Sequence, residues 1–397
     1  MRRAPTVSGS VVVVAKCPIP GRSKTRLIPL TGVDGSAQLA TAMLADVLTA
    51  LTQAETEKNF DRILLYAPPT DVGKLTMENL LDRFGIPRQR TDDNDASEVM
   101  STKSYKSSKS DRKHTQSWNP DAWTLLPMSN EKLNSEGDPI DHSSSKPLNL
   151  KSSYLSDILE NALHRVRLRL RKLKSDGPVI FVGMDTPDIP LDELAYALED
   201  YKRARVCPSA DGGYGLLSVP HHAPAERIFA GVRWSDPLTL ASQLKALTDE
   251  DVRVTVGRVM YDVDEPDDVV QLVERLQESE RRLDGSEEDQ HDNLVKAPPT
   301  TVRQERRTGS CVFTIQALQE LQLWGSDGKL RKLKKGSHEH SDDGIIAKQA
   351  TLSTSYSTHD HEEDYGEEVL IHSYTSSAYE EGFVPSHDMA GSHSCSL

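Results

Sequence analysis

At 397 residues the chain has room for two or three domains, yet only 36% of it is hydrophobic and 5% aromatic, with a mean hydropathy of -0.54. So little apolar material closes one core and leaves long polar segments without one. A formal charge of -14 opposes a general affinity for nucleic acid, and the four scattered cysteines, Cys17, Cys207, Cys311 and Cys395, form neither a CxxC pair nor a disulfide framework.

The chain opens with two arginines and an apolar run, Val11 to Ala15, that Lys16 cuts too short for a signal core. No stretch approaches the roughly 20 apolar residues of a membrane span. A soluble, cytoplasmic protein without a membrane span is expected. The run itself is β-branched and bounded by Ser-Gly-Ser and Pro-Ile-Pro-Gly, the pattern of a strand buried on both faces. Ser36 to Leu51 then places Leu39, Met43, Val47, Leu48 and Leu51 on one helical face. Arg62 to Ala67 reads as a second buried strand, Val72 to Phe84 as a helix and Trp123 to Pro127 as a third strand. Between them, residues 92–121 and 129–151 are rich in Ser, Lys and Asp and read as surface insertions.

Order returns near Ser152 with a basic amphipathic helix carrying Leu155, Ile158, Leu159, Leu163, Val166 and Leu170, followed by a strand over Pro178 to Gly183. Leu191 to Tyr201 is predicted helical, Val206 and Tyr214 to Val219 extended, Pro237 to Leu247 helical and Val252 to Val256 a strand. Glu265 to Leu276 is the last predicted helix of the domain, with Pro266 in its first turn. Strands alternating with helices imply an α/β sandwich with a mostly parallel central sheet, spanning residues 1–277 with a low-complexity insertion at about 92–151. Residues 278–397 read as a largely disordered tail rich in acids, Ser and His. Within it, 312–324 is a candidate short helix and 329–335 a basic run, together a candidate protein-docking segment, while the histidine pairs at 338–340 and 359–361 read as solvated tail.

Lys16, Arg22, Lys24 and Arg26 crowd the loop directly after the first strand, at the carboxyl end where open α/β sheets place ligands. Four cations there either converge on a diphosphate, Arg with forked bonds and Lys as point charge, or make a solvated basic loop. A Walker-A loop is excluded because Ser23 stands where glycine must precede the lysine. Asp185 in GMDTPDIP lies just past another buried strand and is read either as a ligand of Mg²⁺ or Mn²⁺ or as part of a turn, for which Asp188 serves equally well. Asp262 and Asp264, two apart in an extended run, face one way. They either share a metal or, for Asp264, cap the helix that Pro266 opens. Asp211, Gly212, Gly213 and Tyr214 form either a ligand-approaching turn or a turn alone, and Trp234 is either a ligand platform or a packing residue.

Taken in order, KCPIPGRSKTRL, GMDTPDIP, ADGGY, the Trp234 segment and YDVDEPDD resemble the bacterial GT-A-like glycosyltransferase family associated with radical-SAM and arsenosugar-biosynthesis gene clusters. That family is similar in turn to the nucleotidyltransferases that make molybdenum-cofactor dinucleotides and to phospholactate guanylyltransferase. The resemblance implies a nucleotide-diphosphosugar transferase (GT-A, Rossmann-like) fold, Lys16, Arg22, Lys24 and Arg26 on the nucleotide phosphates, Asp185 as metal ligand, and Asp262 or Asp264 where related enzymes carry a second one. The chain departs from the family at Tyr154-Leu155-Ser156-Asp157-Ile158, where members carry an acidic-Leu-Gly-x-Arg segment. The expected activity is metal-dependent transfer of a sugar from a nucleotide-diphosphosugar to a small-molecule acceptor. Asp211 is the candidate acceptor-side base, and Gly212, Gly213, Tyr214 and Trp234 are candidate acceptor contacts. The alternatives are a nucleotidyltransferase that joins an NTP to a phosphorylated small molecule, and a non-catalytic nucleotide sensor that docks a partner through its tail.

Overall fold

The computed structural model describes residues 7–54, 59–89, 119, 121–131, 150–284 and 311–325. Most of the expected insertion, most of the expected tail with its histidine pairs, and the basic run at 329–335 lie outside the described residues. Seven strands form one sheet: β1 Val7–Lys16, β2 Asn59–Ala67, β3 Trp123–Pro127, β4 Val179–Gly183, β5 Ala204–Pro208, β6 Tyr214–Val219 and β7 Val254–Val256. Their spatial order is β3-β2-β1-β4-β6-β5-β7. Only β6 runs against the rest, pairing antiparallel with both β4 and β5. The expected mostly parallel α/β sandwich is therefore the observed architecture.

Alternation along β1 divides the core. Val11, Val13 and Ala15 pack on one side with Leu44 and Leu48 of α1 (Ile28–Gln53), Met77 and Leu81 of α2 (Asp71–Arg83) and Leu194 of α4 (Leu191–Glu199). Val12 packs on the other with Leu163 and Val166 of α3 (Leu150–Lys172), Ile228 of α5 (Ala225–Ile228) and Leu247 of α6 (Thr239–Asp249). Strands buried on both faces leave no polar side, which is why they read as unbroken apolar runs. At the amino-terminal rim, Asp61 is fully buried and takes two bonds from Arg169, at 2.6 and 3.1 Å. Arg62, also buried, donates to the carbonyls of Leu51 and Thr52, so a cation satisfies the carboxyl end of α1.

A third core lies outside the sandwich. Leu39 and Met43 of α1 meet Val269, Leu272 and Val273 of α7 (Pro266–Asp284) and Ala317 and Leu318 of α8 (Val312–Glu320), with Leu27, Val263 and Trp324 completing it. Helix α8 has Cys311 at its amino end and no side-chain cap of its own. Buried Asp46 of α1 fills that role, accepting from the amides of Phe313 at 3.0 Å and Thr314 at 2.6 Å. Residues 312–324, the described part of the segment expected to dock a partner, thus pack apolar side chains against their own chain. Helix α1 begins eight residues earlier than the periodicity predicts and turns at Gly32, whose φ of 75° breaks the helical path. No helix among the described residues is long and apolar enough to cross a membrane.

Candidate active site

Strands β1 and β4 are neighbours while β2 lies on the far side of β1, so the chain reverses its direction of winding between them. That is the switch point at which an open α/β sheet leaves a crevice beyond its strand ends. The loop leaving β1 is organised by Ser23. Its buried hydroxyl accepts from the Ile19 amide at 2.9 Å and donates to the Cys17 carbonyl at 3.0 Å. Lys24 follows in the left-handed region, φ 47° and ψ 50°, a conformation costing a non-glycine residue roughly 1–2 kcal/mol. Its side chain is 9% exposed and lies between two carboxylates, bonding Asp185 Oδ2 at 2.9 Å and, closer still, Asp264 Oδ1. The lysine expected on phosphates is thus ion-paired to acids.

The acids are held by main chain. Asp185 follows β4, and the Val263 amide donates to its carbonyl at 3.0 Å, tying the two acidic segments together. Val263 is fully buried, so the residues on either side of it, Asp262 and Asp264, turn the other way. The capping role considered for Asp264 falls instead to Asp268, whose Oδ2 accepts from the amides of Asp264 at 3.0 Å and Glu265 at 2.7 Å. The signal was present in sequence: with Glu265 before the helix and Pro266 at its first position, Asp268 stands third, the reach-back position of a capping box. Asp188 stands in the turn between β4 and α4, as considered, and pairs with Arg275 at 2.7 Å.

One oxygen each from Asp185, Asp262 and Asp264 lies within 4.8 Å of the others. Burial, then the charges of Asp185, Asp264 and Asp211, push the Asp262 carboxyl up to about 7. Burial also opposes ionisation of Asp264, but the Lys24 ammonium together with Arg26 and Lys16 outweighs it and holds that carboxyl low. Lys24 is the mirror case: burial works against its charge, and Asp185 and Asp264 together raise it. Lys16 is lowered by burial and by Lys24. An all-oxygen, all-carboxylate donor set of this spacing suits a hard divalent cation, and such a charge would relieve the crowding felt by Asp262.

Beside the carboxylates opens a cleft of about 310 Å³. Asp211, Asp262, Asp264, Glu265 and Asp268 line it against Arg26 and Arg275, so it is acidic on balance. Arg26 pairs with Glu265 at 3.2 Å, and Arg275 lies over the ring of Tyr261, which also lines the cleft. Arg22 is exposed on the loop. Asp211 sits on the turn after β5, its Oδ1 contacted by the Ser209 hydroxyl and accepting from the Gly213 amide at 2.9 Å. Gly212, φ 87°, has no alternative there, since a Cβ would stand 2.1 Å from the Pro237 carbonyl oxygen.

Tyr214 and Trp234 are engaged elsewhere. The Tyr214 hydroxyl donates to Gln243 at 3.0 Å, and the Trp234 indole donates to Ser156, whose hydroxyl in turn donates to the Phe229 carbonyl, both at 2.8 Å. Their rings meet edge to face at 6.3 Å, packed against the core beneath α3. Neither lines the carboxylate cleft. Ser156, at the position where the resembling family has glycine, is what anchors Trp234. Sequence reasoning missed Ser23, Val263, Asp268 and Arg275 as builders of the site, because each acts through partners distant in the chain or through main-chain atoms.

Residues 141–236, from ahead of α3 to just past Trp234, match the family described as "Uncharacterized protein conserved in bacteria (DUF2064)". A search of curated proteins finds no match. Among solved structures, the chain is similar to a protein of Desulfovibrio desulfuricans G20 provisionally named a nucleotide-diphospho-sugar transferase: 17% identity, 79% of this chain and 96% of that one covered, TM-score 0.48. It is similar also to CMP:2-keto-3-deoxy-manno-octonic acid synthetase complexed with CTP, at 10% identity over 68% and 99% of the two chains, TM-score 0.34. A third similarity is to the mycobacterium sp. strain JC1 homolog of Mycobacterium tuberculosis rv0371c, at 17% identity over 69% and 98%, TM-score 0.30.

Proposed function

We propose that this chain is a metal-dependent transferase that moves a sugar from a nucleotide-diphosphosugar to a small-molecule acceptor. The observation that carries the reading is the meeting, at one switch point, of the cationic loop after β1 with three carboxylates whose oxygens lie within 4.8 Å. The cleft beside them is acidic, so a diphosphate enters it only with its charge countered. Mg²⁺ or Mn²⁺ on Asp185, Asp262 and Asp264 would supply that charge and polarise the phosphate oxygens. Lys16, Arg22, Lys24 and Arg26 hold the leaving diphosphate and offset the charge that grows on it as the sugar departs.

Asp211 is the acceptor-side base. It takes the acceptor's hydroxyl proton as the new bond to the sugar forms and the bond to the diphosphate breaks. Ser209 and Gly213 fix one of its oxygens and so orient the carboxylate. A small acceptor follows from the resemblance to the radical-SAM-associated family. The test is to incubate the full chain with Mg²⁺ or Mn²⁺ and panels of nucleotide sugars and NTPs. Nucleoside diphosphate is the expected product, and Asp185→Asn should abolish its metal-dependent formation. Pyrophosphate released from an NTP assigns nucleotidyl transfer instead, and binding without turnover assigns a sensor. Neither product, with no ligand-induced thermal shift, refutes all three readings.

A further inference from the structure

We propose that Lys24 is the metal's rival inside its own site, and that handing its ammonium from the carboxylates to a diphosphate is what couples cation binding to donor binding. The inference rests on the metal-dependent reading above and adds a linkage to it. Lys24 bonds Asp185 and Asp264, two of the three residues whose oxygens cluster within 4.8 Å. An ammonium and a divalent ion therefore compete for the same two carboxylates. The lysine is not a loose surface group: its side chain is 9% exposed, its backbone is left-handed, and the Ser23 hydroxyl clamps the loop immediately before it.

An ammonium has three donors and no acceptor, so one pushed off its carboxylates in a largely buried position needs a new anion. Lys16 stands close enough to repel it. Each ligand alone thus leaves a debt of charge. A divalent ion without diphosphate strands Lys24, and a diphosphate without the ion meets the carboxylates. Bound together, the ion takes the carboxylates and the diphosphate takes Lys24. Linkage is reciprocal, so whatever factor the diphosphate adds to metal affinity, the metal adds to diphosphate affinity.

The experiment measures Mn²⁺ binding to the full chain, from the electron-spin-resonance signal of free Mn²⁺, with and without inorganic pyrophosphate at buffered free metal. Lys24→Met should bind Mn²⁺ alone more tightly than wild type, by about 5–150-fold if the coupling is of ordinary size. Pyrophosphate should tighten Mn²⁺ binding by wild type and do so far less in Lys24→Met. Lys24→Arg keeps the charge and should stay weak, and Lys24→Gln replaces Lys24→Met if the latter fails to fold. The proposal is overturned if the neutral variant, melting cooperatively, binds Mn²⁺ no better than wild type, or if Lys24→Arg binds as tightly as Lys24→Met. In that event the metal reading still stands, provided Asp185→Asn removes Mn²⁺ binding. Absence of Mn²⁺ binding by wild type and variants alike overturns both.

Discussion

Asp46→Ala tests whether α8 is held to α1 chiefly by an internal cap. The substitution removes both acceptors for the amides of Phe313 and Thr314, at 3.0 and 2.6 Å. Bonds to a charged acceptor ordinarily contribute about 1.5–3 kcal/mol each. Burial is the main influence on Asp46 and raises its carboxyl, so much of that gain is offset by desolvation. A net loss of about 1–2 kcal/mol remains, in line with other lost helix caps. Hydrogen exchange read by mass spectrometry should therefore quicken about 5–30-fold across 312–324. Because Leu27 and Val263 share the α8 core, amides at 24–27 and 262–264 should quicken as well, by a smaller factor. Unchanged exchange at 312–324 would refute the cap. Equal acceleration in every peptide would show that the loss is global and that α8 is no separate unit.

Other substitutions probe the scaffold and the site independently. Arg169→Ala strips two guanidinium donors from fully buried Asp61 and should cost about 3–5 kcal/mol, seen as a lowered denaturant midpoint with unchanged slope. A Cβ on Gly183 would meet Asp185 Oδ1 at 2.8 Å, so Gly183→Ala should displace that carboxylate and weaken Mn²⁺ binding while leaving the melting temperature within about 2 °C, as for a change below ~0.5 kcal/mol. Burial pushes the Cys17 thiol up to about 11 and raises Cys207 and Cys311 further. At pH 8 only about one Cys17 in a thousand is thiolate, so alkylation of these three should wait for unfolding. The sign for stability follows: the unfolded thiol ionises first, so the contribution of Cys17 is intact below about pH 9 and is lost as pH climbs towards 11. Rapid labelling of Cys17 in the native protein at pH 8 would contradict its burial.

The sheet was readable because β1, β2 and β4 are buried on both faces and must be apolar throughout. Strand ends then pointed to Lys24 and Asp185 on one rim, while Asp211 entered through its glycine turn and the Asp262–Asp264 pair through its spacing and the family resemblance. What the sequence hid is non-local. Lys24 meets Asp185 and Asp264 across 161 and 240 residues, and Asp46 meets Thr314 across 268, distances over which no local pattern carries a signal. Short range failed differently. The single turn α5 is too brief for periodicity, and the early start of α1 was masked by Pro29 and Gly32, residues that ordinarily mark an interruption.

The bond from the Val263 amide to the Asp185 carbonyl has a consequence for how this site could change over time. It sets the gap between the two acidic segments with peptide atoms, which every non-proline sequence possesses. Side chains at 185, 262 and 264 are therefore exchangeable parts on a spacing they do not themselves determine. Replacing one Asp by Glu would advance its oxygens by about one carbon–carbon bond while the frame stayed put. A lineage could in this way alter the carboxylates presented at this rim without rebuilding the fold that presents them.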